Sequence, residues 1–134
     1  MAQPVSMSPQ TLSAPARWTS YIMSAIPVAL MIFSAIGMFR GSQSLIQLMT
    51  QHLAWSEQLL PWIAVLQLGA AIIYLIPRTA VLGAVLVTGY FGGAIATHLR
   101  VGDAPIFQAV LIVLAWGGLY LRELRLRALL PLRR

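Results

Sequence analysis

The chain has 134 residues, 59% of them hydrophobic and 9% charged, with a net charge of +6. A soluble domain carries about 25% charged residues, so a chain this apolar could not cover its own surface in water and calls for the bilayer as solvent. There is no cysteine, which excludes disulfides, thiol catalysis and thiolate-held iron–sulfur clusters. Five of the nine arginines (Arg122, Arg125, Arg127, Arg133, Arg134) fall in the last thirteen residues beside a hydrophobic run. Such clustering sets topology or touches anionic lipid, and it argues against nucleic acid as a partner.

Residues 1–16, rich in Pro, Ser, Gln and Thr, read as a disordered tail. They make a poor signal peptide, because only Arg17 precedes the apolar run and that run is too long for an h-region. The first spanning helix is expected over residues 18–39. Trp18 and Tyr21 suit interface depth, and Ser20, Ser24, Pro27, Met31 and Ser34 share one face. Pro27 lacks an N–H and predicts a kink that packed neighbours tolerate. In the long connection that follows, Leu45, Ile46, Leu48, Met49 and Leu53 recur at helical spacing, which predicts a short amphipathic helix on the membrane surface. His52 sits on it and reads as a solvated interfacial residue.

The second span covers residues 59–76, with Pro61 in its first turn. Gln67, Ala70 or Ala71, and Tyr74 lie on one face, and an amide in lipid should turn inward. Pro77 and Arg78 leave room only for a hairpin, so spans two and three are expected to be antiparallel neighbours. The third span covers residues 79–99. Gly83, Tyr90, Ala94 and Thr97 mark its protein side, and Val81, Val85, Thr88, Ile95 and Leu99 point largely towards lipid. Gly89-x-x-x-Gly93 predicts a close helix contact, within the chain or as a homo-oligomer seam. The fourth span covers residues 104–121, begins near Gln108 and leads into a basic tail over 125–134. The expected architecture is all-α: an antiparallel up-down four-helix membrane bundle over 17–124, with a short interfacial helix between helices one and two. Arg17, Arg78 and the five tail arginines would share one side, against Arg40 and Arg100 on the other, so both termini are expected in the cytoplasm.

No phosphate loop, nucleophile elbow or H-E-x-x-H motif is present, and two histidines with three acids are too few for a convincing metal cage. No metal or haem is expected. One constellation stands out at the end of the third span: His98, Arg100 and Asp103, with Tyr90, Thr97, Gln67, Tyr74 and Gln108 placed to line the bundle below. An imidazole, a guanidinium and a carboxylate at the interface are suited to holding a quinone carbonyl and moving its protons. The same residues also suit a plain interfacial cap, with Arg100 snorkelling and Gly102 permitting the turn.

The run IPRTAVLGAVLVTGYFGGAIATHLRVGD and the ending WGGLYLRELRLRALLP resemble the DoxX-like family of small bacterial membrane proteins, from about Trp18 onwards. The resemblance implies four membrane helices. Through relatives tied to quinone-linked redox systems, it also implies an accessory or subunit role in the bacterial inner membrane, with membrane redox proteins as partners. Members often carry Glu where Gln67 stands and Lys where Met38 stands. Losing both charges together leaves no orphan in lipid, but an amide cannot titrate. Catalysis by this chain alone is not indicated; the competing readings are a quinone-linked oxidoreductase subunit, a small transporter and a structural partner protein. Four short spans without an inverted repeat leave little room for alternating access.

Overall fold

The computed structural model describes residues 11–129, all-helical and without strands. Residues 1–10, most of the expected tail, lie outside that range, as do Arg133 and Arg134. Six α-helices follow in order: α1 (Ala14–Phe39), α2 (Gln43–Gln47), α3 (Leu60–Leu75), α4 (Ala80–Arg100), α5 (Ile106–Arg122) and α6 (Leu124–Leu129). A π-helical turn, Leu48–His52, continues α2, and a 3-10 turn, Glu57–Leu59, leads into α3. Three helical segments, Ala14–Phe39, Glu57–Leu75 and Ala80–Arg100, are long and apolar enough to cross a membrane; Ile106–Arg122 is apolar but shorter.

The helix bounds follow the apolar runs to within a few residues, with two differences at the ends. The first helix begins four residues before the expected Trp18, because Pro15 is tolerated in a first turn whose N–H groups have no partner anyway. The basic segment is not a plain tail: Leu124–Leu129 is helical, and the Arg127 guanidinium donates to the carbonyls of Tyr120 and Leu121 at the end of α5. Pro27 is buried inside α1, which runs unbroken through it.

Two helices end alike. At the end of α1, Gly41 takes φ +70°, Gly41 N–H donates to Met38 O, and Ser42 N–H donates back to Gly37 O. At the end of α4, Gly102 takes φ +85°, Gly102 N–H donates to Leu99 O, and Asp103 N–H donates back to His98 O. Both are Schellman closures, which need a residue comfortable at positive φ.

α1 packs against α3 and α5, and α4 also packs against α3 and α5. The core is mostly small: Ala64, Ala71, Ala84 and Ala115 are almost wholly buried, with Met31, Val87 and Leu119 between them. Tyr74 spans this core. Its hydroxyl donates to Ala115 O (2.6 Å) and accepts from Ser24 Oγ (2.8 Å), so one side chain of α3 ties α1 to α5. Thr88, expected to face lipid, instead accepts from Trp116 Nε1 (2.7 Å) while donating to Ala84 O (2.7 Å).

Within one chain, the close approaches do not fall at Gly89-x-x-x-Gly93. Around Gly89 and Gly93 nothing lies within 4 Å of where a Cβ would stand. Gly83 and Gly118 carry the contacts instead. A Cβ on Gly83 would collide with the backbone of Tyr74, and one on Gly118 would reach Ser20 O at 2.7 Å and Ser24 N at 2.9 Å. Backbone atoms cannot swing away as a side-chain tip can. Gly83→Ala and Gly118→Ala should each therefore cost about 1–3 kcal/mol through overpacking. Gly93→Leu should leave the melting temperature in detergent nearly unchanged, the reverse of what a close contact at Gly93 would give.

Candidate functional site

A cavity of about 560 Å³ occupies the half of the helix assembly nearest the α4–α5 turn. Its size lies within the usual range for small-molecule sites, roughly 300–1,000 Å³. The walls are largely apolar, built from Leu30, Met31 and Phe33 of α1, Ile63 and Leu66 of α3, Phe91 of α4 and Leu111 of α5. Five of the expected site residues line it: Gln67, Tyr90, Thr97, His98 and Gln108. Three do not. Tyr74 belongs to the Ser24–Ala115 network near the far end of α3, under the Arg122 guanidinium, while Arg100 and Asp103 stand outside the cavity wall.

Two polar atoms on the wall are unsatisfied. Gln67 is 3% exposed, and its Oε1 is buried without a hydrogen-bond partner, as is Oε1 of Gln108. A buried acceptor without a donor costs about 1–3 kcal/mol, so it is the kind of atom a ligand completes. Each amide can present either its carbonyl or its NH₂ by rotating about its last torsion. Thr97, by contrast, is satisfied locally, its hydroxyl donating to Gly93 O (2.9 Å).

One end of the cavity is lined by the connection after α1. Leu48, Met49, Leu53 and Trp55 line it from that side. Leu53 is buried, and the neighbouring Ala54 takes φ +56°, outside the ordinary range for a residue with a Cβ. Two ties hold the segment to the α4–α5 corner. Arg100 Nη2 donates to Leu53 O (2.7 Å), and His52 Nε2 meets Asp103 Oδ2 (2.7 Å). His98 Nδ1 meets the same Oδ2 at 3.0 Å. The Schellman closure at Gly102 explains this second contact. It sets the side chain after the glycine beside the one five residues earlier, a place usually filled by an apolar pair.

Asp103 is therefore shared by both histidines of the chain. His52 did not stand out in the sequence, because its partner lies 51 residues away and no local spacing announces the pair. The two hydrogen bonds, that from His52 foremost, hold the Asp103 carboxyl below its ordinary value. With Nδ1–H donating to this carboxylate, a neutral His98 leaves Nε2 bare as an acceptor. Arg100, expected to hold charge on a ligand, is instead committed to a backbone carbonyl.

Residues 22–118 match the model of the DoxX-like family. The chain belongs to the DoxX-like family. It is accordingly an all-helical membrane protein, and the matched region takes in the cavity, both histidines and Asp103. No curated protein and no solved structure matches it.

The depressed pKa of Asp103 gives the ties a pH dependence with a definite sign. A carboxyl that is more acidic folded than unfolded contributes stability above its unfolded value, about 3.9, and that contribution is lost as pH falls through the folded value. Hydrogen exchange over residues 42–55 should therefore quicken as pH drops below the ordinary carboxylate range, after correction for the intrinsic exchange rate. Asp103→Asn should exchange faster at neutral pH and lose that acid dependence.

Proposed function

We propose that this DoxX-like protein binds a quinone-type, membrane-dissolved ring compound in the cavity, as an accessory component of a quinone-linked redox system. The observation that carries this reading is the pair of unpartnered amide oxygens, Gln67 Oε1 and Gln108 Oε1, in a largely apolar cavity with His98 on its wall. The apolar wall suits a substituted ring and its hydrocarbon chain. Gln67, Gln108 and His98 would hold the ring oxygens, the amides as donors or acceptors and the His98 Nε2 as an acceptor from a hydroxyl. Bound quinone supplies two-electron, two-proton chemistry. The contribution of this chain is to bind and orient the ring, exclude water and offer His98 as a proton acceptor backed by Asp103.

The proposed setting is the bacterial inner membrane, with four helices in an antiparallel up-down bundle. The α2 segment would lie at the outer interface and both termini in the cytoplasm. Support for this orientation comes from the arginines: Arg17, Arg78, Arg122, Arg125 and Arg127 gather at one end, whereas Arg40 and Arg100 lie at the other. A C-terminal alkaline phosphatase fusion should accordingly be inactive and a fluorescent protein fusion at the same point bright; the opposite pattern would invert the orientation.

Quinone binding is tested directly. Protein purified in gentle detergent should carry quinone in its lipid extract. Gln67→Leu and His98→Gln should keep the fold but lower affinity for decylubiquinone, by roughly tenfold for each hydrogen bond worth about 1.4 kcal/mol. Wild-type protein that neither retains nor binds quinone would overturn the reading.

A further inference from the structure

We infer that the cavity is entered from the lipid rather than from water, through the face of α4 at Gly89 and Gly93. The inference rests on the cavity being a binding site and adds the route, and hence the class of ligand: molecules already partitioned into the bilayer.

The water-side end is lined by Leu48, Met49, Leu53 and Trp55, on a segment held by the Arg100 tie to Leu53 O and the His52 tie to Asp103; Leu53 is buried there and Leu48 is half-exposed. Along the sides of the helices the wall is built differently. Phe33 is 75% exposed and Phe107 60% exposed, yet both also border the cavity, so the wall there is one side chain thick. On α4 it is thinner still. Gly89 and Gly93 line the cavity, are exposed, and have nothing within 4 Å of a would-be Cβ. They are successive on one helix face, four residues and about 6 Å apart along the axis. Behind this gap stands Gln67, 97% buried with its Oε1 unpartnered, which marks the interior as a place for a ligand and not an accidental void. An apolar opening on a lipid-facing surface admits molecules dissolved in lipid, while a charged solute would have to leave water first at a cost of several kcal/mol.

The test uses the full chain in lipid nanodiscs, where both membrane faces are accessible. Because the chain has no cysteine, single reporters are clean. Gln67→Cys places a thiol on the cavity wall, and Ser56→Cys, in an exposed turn, is the reference. Each is labelled with N-phenylmaleimide, which partitions into lipid, and with a sulfonated maleimide, which does not. The expected result is a rate ratio of apolar to sulfonated reagent at least roughly tenfold higher for Gln67→Cys than for Ser56→Cys. Gly89→Leu or Gly93→Leu should slow the apolar reagent at the Gln67→Cys thiol, and Phe107→Ala, which thins the cavity wall on α5, should quicken it. Arg100→Gln should quicken only the sulfonated reagent. Melting temperatures identify any variant that fails to fold, and Phe107→Ala then decides. Equal ratios at the two reporters, apolar labelling indifferent to all three wall variants, or a Gln67→Cys thiol that neither reagent reaches would each overturn lipid-side entry. None of these measurements uses quinone, so this route and the quinone reading fail separately.

Discussion

The site depends on how α4 ends. Gly102, at positive φ, lets the chain fold back so that Asp103 N–H caps His98 O and the Asp103 side chain arrives beside the His98 ring. A residue with a Cβ at position 102 would resist that conformation, and the carboxylate would then have no fixed place to stand. Once it is fixed, two consequences follow. His98 is held in one tautomer, and a second histidine from a distant segment finds the same oxygen. That second contact, with Arg100 on Leu53 O, turns an otherwise free connection into a cover for the cavity. A backbone motif of six residues, 98–103, thus couples the chemistry of the wall to the segment that covers its end.

The rest of the assembly allows a cavity to persist. Small residues bring the helices together at the other end: Gly83 against the backbone of Tyr74, and Gly118 against Ser20 and Ser24. Tyr74 adds hydrogen bonds to both α1 and α5 there. Nearer the α4–α5 turn the side chains are longer, Phe33, Leu66, Phe91 and Phe107 among them, and the helices enclose space instead of filling it. In lipid no strong hydrophobic force closes such a space, because hydrocarbon outside is as apolar as the wall inside.

Much of the fold was legible in the sequence, because spanning a bilayer requires about 20 apolar residues and the runs are bounded by Pro, Gly and Arg. The placement of Gln67 on an inward face was legible for a related reason: an amide is costly in lipid. The functional role of the glycines was not. Gly83, Gly89, Gly93 and Gly118 look alike in one dimension, yet two meet a neighbouring backbone and two border open space. Spacing reveals which face a residue occupies, but not whether the next helix touches that face. His52 was hidden for the same kind of reason. Its role comes from a carboxylate 51 residues away, and a lone histidine on an amphipathic stretch carries no sign of such a partner. Arg100 is the converse case: its charge drew notice as a ligand contact, while its geometry serves a carbonyl of the covering loop.

An amide at position 67, where the resemblance to the DoxX-like family implies a glutamate, suits this arrangement. A carboxylate at a 97% buried position, in a cavity lined by apolar side chains, would demand a cation, and none of the cavity-lining residues is an arginine. Met38, where the resemblance implies a lysine, lines the same cavity. Both positions that depart from the pattern the resemblance implies therefore face one space, which here holds an amide and a thioether. Among the cavity-lining residues His98 is the one imidazole, and its Nδ1 is engaged by Asp103. Under the proposed binding of a ring compound, His98 is the imidazole placed on the wall to meet it, and the carboxylate behind that ring is the one that also holds the covering segment.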